Sequence, residues 1–519
     1  MGILSLPKTI LMMACWAIPV LISTYAVQIL PVNFGFGISG PVFLNALLYN
    51  KTFKRFEPEE ESAAGDEDWT VSPEGESGEN TENEGCSDPQ NSIIKEKQTF
   101  FFIIVSSSYF RKMTQDLFFS FEVAILYNRQ IYRRMEQDMI IQNGSVFTEK
   151  NTFEPMDILT EGAFISALSP SLKGRPKEEV YDASGCILIP GLVDLHFHGC
   201  MGYDFCDGTK EAIREIARYE ASIGVTAIAP ATMTLPVEEL EDILRTAAEY
   251  KKEQNPKGAD LVGVNMEGPF ISPVKKGAQD ERNIMPCDTD ICQRFLDASE
   301  GLVKFVGLAP EESEDAVAFV EAMKDKVNIS LAHTNADYAH AKAAFDAGAN
   351  HAVHLFNAMP AFTHREPGVV GAVSDSAHVM AEIICDGVHI HPSMVRAAFK
   401  MMGADRMILI SDSMRATGMP DGQYTLGGLD VKVVGNHATL VSDGALAGSV
   451  TNLADCMRTV VKKMEIPLET AVACATINPA KSLGIEDTYG SIAPGKKANI
   501  VLLDGNLDLK MVIKDGREL

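Results

Sequence analysis

From residue 190 onward the chain alternates short, nearly uninterrupted apolar runs with stretches whose apolar residues recur every three or four positions. The runs read as strands buried on both faces, and the periodic stretches as amphipathic helices. Strands are expected over 192–198, 226–231, 261–267, 303–308, 328–333, 351–354, 381–386 and 407–412. Helices are expected over 210–223, 237–253, 313–326, 336–347 and 392–402. Gly224, Gly348 and Gly403 stand where helix ends call for a left-handed residue. Alternating strand and helix builds a parallel sheet, and this repeat pattern fits a closed (β/α)8, TIM-like barrel.

The barrel is expected over 190–423 and 445–488, with helices at 453–464 and 468–474. The flanking pattern differs. Residues 139–146 read as a strand with a hairpin turn at Asn143-Gly144, and strand-like pieces continue to Pro190. Residues 424–444 and 489–519 return to strands punctuated by glycine. The segments 139–189, 424–444 and 489–519 are expected to form a small β-sandwich built from both ends of the region that begins at Met139.

The first 138 residues have another character. Residues 9–50 carry no charge, and 10–30 are long enough to cross a bilayer. Lys51, Lys54 and Arg55 would then hold the downstream side in the cytoplasm. Residues 57–90 are rich in Glu, Gly, Ser and Asn and are expected to be disordered. This extension reads as a membrane anchor, a signal-type segment, or sequence outside the working protein. The third reading is preferred, because Met139 looks like the natural start of a cytosolic enzyme. A membrane partner is expected only if the apolar segment is real.

Composition narrows the function. The net charge of −26 argues against nucleic-acid binding, which needs a basic face. Ten cysteines with no CxxC pair read as reduced thiols of a cytoplasmic protein.

The strand ends carry the chemistry. His196 and His198 alternate along a strand and share a face. Taken alone, such a pair is as easily two surface histidines. The third expected strand ends in Glu267, the fifth in His333 and the sixth in His354. The seventh leads to Asp386-Gly-Val-His389, and the eighth ends in Asp412. Each has an ordinary alternative: a hydrogen-bonded core histidine, a helix cap at Asp412, a lysine partner for Glu267. In a barrel, however, the C-terminal strand ends form one mouth. Five potential metal ligands and a carboxylate would meet there.

These residues resemble the amidohydrolase superfamily and, within it, the N-acetylglucosamine-6-phosphate deacetylases. The resemblance runs from Met139 to Leu519 and leaves 1–138 as a non-homologous N-terminal extension. It rests on residues 190–199 (PGLVDLHFHG), 267–270 (EGPF), 332–336 (AHTNA), 354–359 (HLFNAM), 365–368 (REPG), 386–389 (DGVH), Ser411-Asp412, 446–449 (LAGS) and 490–500 (GSIAPGKKANI).

The resemblance implies hydrolysis of the acetamide of N-acetylglucosamine 6-phosphate to glucosamine 6-phosphate and acetate. Glu267, His333 and His354 would hold the main divalent metal, zinc or iron. His196 and His198 would hold a second, with Glu267 bridging, giving two per subunit. Asp412 would be the general base and His389 would hydrogen-bond the substrate. Ala278, Asn357, Ala358 and the loop Leu446, Ala447, Gly448 would contact the sugar phosphate. Arg365 would reach the phosphate from the neighbouring subunit of a homodimer, its ordinary alternative being a loop ion pair with Glu366. Gln279 stands where some members carry histidine. It can still donate a hydrogen bond but brings no charge to a phosphate.

Three rivals remain in view. Dihydroorotases and hydantoinases place a modified lysine on the fourth strand, and 303–308 has none at the ligand position. Deacetylation of N-acetylgalactosamine 6-phosphate differs by one hydroxyl orientation. A membrane-tethered, catalytically silent scaffold has only the amino-terminal segment in its favour, and the full ligand set opposes it.

Overall fold

The computed structural model describes residues 138–173, 179–253 and 255–519. The expectations for the apolar segment 9–50 and the acidic segment 57–90 lie outside the described residues. Among the described residues, no helix is long and apolar enough to cross a membrane.

The centre of the fold is parallel sheet with helices between its strands, a mixed α/β architecture. Its strands are Leu192–Asp194, Val225–Ile228, Asp260–Leu261 continued by Val264–Phe270, Val303–Leu308, Asn328–Leu331, His351–Ala352, Met380–Ile384 and Met407–Ile410. Each pairs in parallel with the next, and an isolated parallel bridge, Ala231 with Asn265, joins the second to the third. Backbone bonds also run from the end of the last strand to the end of the first. Asp412 N donates to His196 O at 3.0 Å, and His198 N donates to Ser413 O at 2.7 Å.

The strands are mostly apolar because both faces are covered. Along Met407–Ile410, Met407 and Leu409 join one buried cluster while Ile408 and Ile410 join another. Ala480 and Leu483 pack into the second cluster with Val193, Ala229 and Phe305. The helices Lys210–Ser222, Val237–Lys251, Ala316–Met323, Tyr338–Ala347 and Pro392–Met402 lie where periodicity places them. A further helix, Thr289–Ala298, goes beyond the expectation. Asp288 caps it by accepting from Asp290 N and Ile291 N.

A second sheet has eight strands, ordered Arg517–Glu518, Leu509–Lys514, Ile500–Leu503, Ile187–Pro190, Met139–Phe147, Phe153–Glu161 and Phe164–Ser169, with Glu179–Asp182 also paired to Met139–Phe147. The two ends of the region thus meet. Asn143-Gly144 is not a hairpin turn. The strand runs through it, with a register shift between Ile141 and Gly144. Asn143, at φ 63°, is absorbed as a bulge, and the chain reverses near Thr148–Thr152. Residues 424–444 do not join this sheet. Gly422–Leu426, Leu429–Val434 and His437–Leu440 form an antiparallel meander of their own. Short turns let each strand pair with its sequence neighbour, and the meander buries Leu426, Val431 and Leu440 against Met233, Ala278 and Met414.

Candidate active site and metal centre

The ends of the parallel strands deliver the titratable residues to one place. Glu267 is the hub. Its Oε1 lies 3.0 Å from His333 Nε2, 2.9 Å from His354 Nε2 and 3.3 Å from His196 Nε2. Its Oε2 lies 3.3 Å from His198 Nε2, which is 3.4 Å from Asp412 Oδ1. The Nε2 atoms of His333 and His354 are only 3.2 Å apart. Two groups among the described residues have the geometry to hold a metal ion: Glu267, His333 and His354, and His196, His198 and Asp412.

The local backbone explains how strand ends aim these side chains. His333, His354 and Asp412 have φ of 44°, 31° and 49°, a left-handed conformation that non-glycine residues rarely adopt. Each turns the chain out of its strand and is held so by packing, as strained functional residues are. Gly277 lies against this machinery: a Cβ there would sit 3.3 Å from His333 Cε1. At Gly448, φ 60°, a Cβ would likewise sit 3.1 Å from Asp412 O.

The far ring nitrogens set the tautomers. His333 Nδ1 faces Lys275 O at 2.8 Å, and His354 Nδ1 faces Asn357 O at 3.2 Å. A carbonyl accepts only, so each Nδ1 carries hydrogen and each neutral ring presents a lone pair at Nε2. His196 Nδ1 faces Glu382 Oε2 at 3.0 Å. These lone pairs converge on a carboxylate that accepts only. His196 Nε2, fully buried, has no hydrogen-bond partner. Such a set fits a divalent cation, which supplies the positive charge that the neutral rings lack.

The electrostatics make the same point. Two buried carboxylates can otherwise be balanced only by protonated histidines. Burial opposes that charge, yet Glu267 and Asp412 draw His198 up to about 10. Burial raises Glu267 in turn, but the neighbouring His333 and His196 hold it well below the usual carboxylate range. Asp412 is also lowered: burial works against it, and His198 and His196 together outweigh burial. His389 is raised, since Asp386, 2.7 Å from its Nδ1, overcomes burial.

A cavity of about 310 Å³ opens onto these groups. Of the expected site residues, His198, Glu267, Ala278, Gln279, His333, His354, Asn357, Ala358, His389, Asp412, Leu446 and Gly448 line it. His196 is fully buried among them. Ala447 is not on the wall; it packs into the apolar cluster with Met414 and Leu426. Arg365 lies on the exposed stretch 361–366, away from this cavity's lining. Gln279 is turned toward the metal group. Its Nε2 donates to Glu267 Oε2 at 2.7 Å, and its Oε1 accepts from Thr234 N at 2.7 Å. Both ends of the amide are therefore engaged, and it holds the hub carboxylate.

Sequence reading passed over Glu382, Asn265 and Glu311. The signal for Glu382 was a lone carboxylate inside the buried run Met380–Ile384. Glu311 accepts from Thr334 Oγ1 at 2.6 Å and from Asn335 N, bracing the loop after His333.

The amidohydrolase family model matches residues 187–519. The chain belongs to that family. This amidohydrolase is 34% identical over 388 residues to an N-acetylglucosamine-6-phosphate deacetylase of Bacillus subtilis (strain 168), covering 74% of this chain and 97% of the relative. It is 31% identical over 381 residues to an N-acetylgalactosamine-6-phosphate deacetylase of Escherichia coli O157:H7, covering 73% and 98%. The crystal structure of an N-acetyl-D-glucosamine-6-phosphate deacetylase from Mycobacterium smegmatis is similar, with a TM-score of 0.68 and 30% identity over 73% of this chain and all of that one.

Proposed function

We propose that this amidohydrolase hydrolyses the acetamide of N-acetylglucosamine 6-phosphate, releasing acetate and glucosamine 6-phosphate. The observation that carries the reading is the convergence of Glu267, His333, His354, His196, His198 and Asp412 beside a cavity that also meets His389. The likeness to deacetylases along nearly their whole length supports the substrate class. We read the parallel strands as a closed (β/α)8 barrel, which the bonds from residues 412 and 413 to 196 and 198 support. The sheet from 139–190 and 500–518 is read as a small β-domain beside it.

In this reading Glu267, His333 and His354 would hold one divalent ion, zinc or iron, and His196 and His198, with Glu267 shared, would hold a second. Such ions, when bound, supply Lewis acidity that polarises a carbonyl and activates water. Asp412, ionised and within 3.4 Å of His198, takes the proton of the attacking water. It then delivers that proton to the nitrogen of the leaving sugar, since an amide anion is too poor a leaving group. His389, oriented by Asp386, donates to the oxygen on which negative charge develops. Asn357, Ala358 and the loop 446–448 line the sugar side, and Arg365 of a neighbouring subunit meets the phosphate in a homodimer. The eight cysteines of the described residues are all free, which suits a reducing, cytoplasmic setting.

The E. coli relative favours one second reading, a preference for the galacto epimer. Metal-replete protein assayed on both N-acetylhexosamine 6-phosphates decides between them. A higher kcat/KM on the gluco epimer is expected. A higher value on the galacto epimer replaces the substrate, and no acetate from either defeats the reading.

A further inference from the structure

A carboxylate oxygen and an amide nitrogen both approach Nδ1 of His196, a fully buried ring of the site. Glu382 Oε2 lies 3.0 Å from its Nδ1, and both side chains are fully excluded from solvent. Asn265 Nδ2 lies 3.4 Å from the same atom. The amide nitrogen of Asn265 already donates to Leu195 O at 3.0 Å. Turning that amide over would press two acceptor oxygens together, so the amide offers Nδ1 no acceptor. Glu382 is thus the acceptor at hand, Nδ1 carries the hydrogen, and Nε2 is left as a lone pair facing Glu267 and Asp412.

The other Glu382 oxygen, Oε1, has no hydrogen-bond partner. Burying a carboxylate with half its capacity unmet is costly unless it serves something. The two candidate metal groups also differ in how they are braced. His333 and His354 lean on the backbone carbonyls of Lys275 and Asn357. In the other group His198 Nδ1 has no hydrogen-bond partner, so His196 is the histidine whose far nitrogen is held, and a side chain holds it.

We propose that Glu382 is a positioning residue that governs the second metal group selectively. It fixes the orientation and tautomer of His196, and its charge makes the ring a stronger donor to a cation. It is fully buried and does not line the cavity. The inference rests on the two-ion reading above, and its test separates the two.

Full-length wild type, Glu382→Gln and Glu382→Ala are stripped and titrated with Zn²⁺ against a chromogenic chelator. Wild type is expected to take two ions per chain. Glu382→Gln keeps the shape and the acceptor oxygen but loses the charge, so it is expected to bind the second ion about 10–100-fold more weakly while the first is unchanged. Glu382→Ala is expected to retain one. The glutamine variant carries the test if the alanine variant does not fold. Wild type with two ions and Glu382→Gln with two of unaltered affinity overturns this inference alone. Equal weakening of both ions also overturns it, because the effect is then merely structural. A wild type with one ion overturns both readings.

Discussion

Asp412→Asn replaces one oxygen with an NH₂ group at the residue assigned to proton transfer. The backbone should tolerate it. Asp412 holds φ 49°, and asparagine is among the few side chains enriched in that region. The main chain is pinned at both ends, its N–H donating to His196 O at 3.0 Å and its C=O accepting from Ser449 N at 2.7 Å. Neither bond involves the altered atoms. The chemistry should not survive, because an amide cannot take the proton of the attacking water. A positioned general base contributes about 10²–10⁴ in rate, or roughly 3–5 kcal/mol of barrier. We expect kcat on N-acetylglucosamine 6-phosphate to fall by that factor, with KM changed by no more than a few-fold. The ion of Glu267, His333 and His354 should remain, since Asp412 is not one of that group. Steady-state kinetics with elemental analysis of the same samples makes the measurement. A near-native kcat with metal bound refutes Asp412 as the base, and lost activity together with lost metal at the first group refutes the assigned division of labour.

His351 lies close to His354 in sequence but takes no part in the site; its ring bonds Asn350 Oδ1 at 2.9 Å and Ser482 Oγ at 3.0 Å, and burial lowers it to about 3. Below pH 6.5 the unfolded chain therefore takes a proton the folded chain refuses, so stability falls with pH from about 6.5 toward 3, by about 1.4 kcal/mol per unit. Urea midpoints at pH 7 and 5 should show a shallower dependence in His351→Gln; an identical dependence rejects the assignment. Asp260 joins Lys514 Nζ at 3.0 Å, Lys497 Nζ at 2.7 Å and the Tyr489 hydroxyl at 2.8 Å. Asp260→Asn leaves the buried Lys514 with Asp515 alone and should cost about 2–3 kcal/mol in chemical denaturation, while kcat of the folded fraction stays constant. Arg365→Ala should raise KM at least ten-fold with little change in kcat, and unchanged kinetics would return Arg365 to an ordinary loop residue. Gln279→Ala leaves Thr234 N and Glu267 Oε2 short of a partner, and should weaken the first ion in chelator titrations more than it alters KM.

Much of this protein is written in its local pattern. A strand buried on both faces is apolar along most of its length, so Met407–Ile410 announces itself. Polar residues that interrupt the end of such a run stand out for the same reason, and that is why Glu267, His333, His354 and Asp412 are legible without coordinates. Periodicity also marks the helices whose outer faces are polar.

What the pattern does not carry is the partner across space. Whether Asn143-Gly144 turns or bulges depends on the strand beside it, and the pairing with Phe153–Glu161 makes it a bulge. Leu429–Val434 alternates like any half-buried strand; only packing against Met233 and Ala278 places its sheet at the cavity wall and not in the larger sheet. Gln279 lines the cavity and Ala447 stands between two residues that do, yet the amide of one is spent on Glu267 and the methyl of the other faces the core. Glu382 pairs with a histidine 186 positions away. The periodicity of a chain follows from its own torsions and its exposure to water. The identity of a contact follows from strand register and loop paths, which many distant residues settle together.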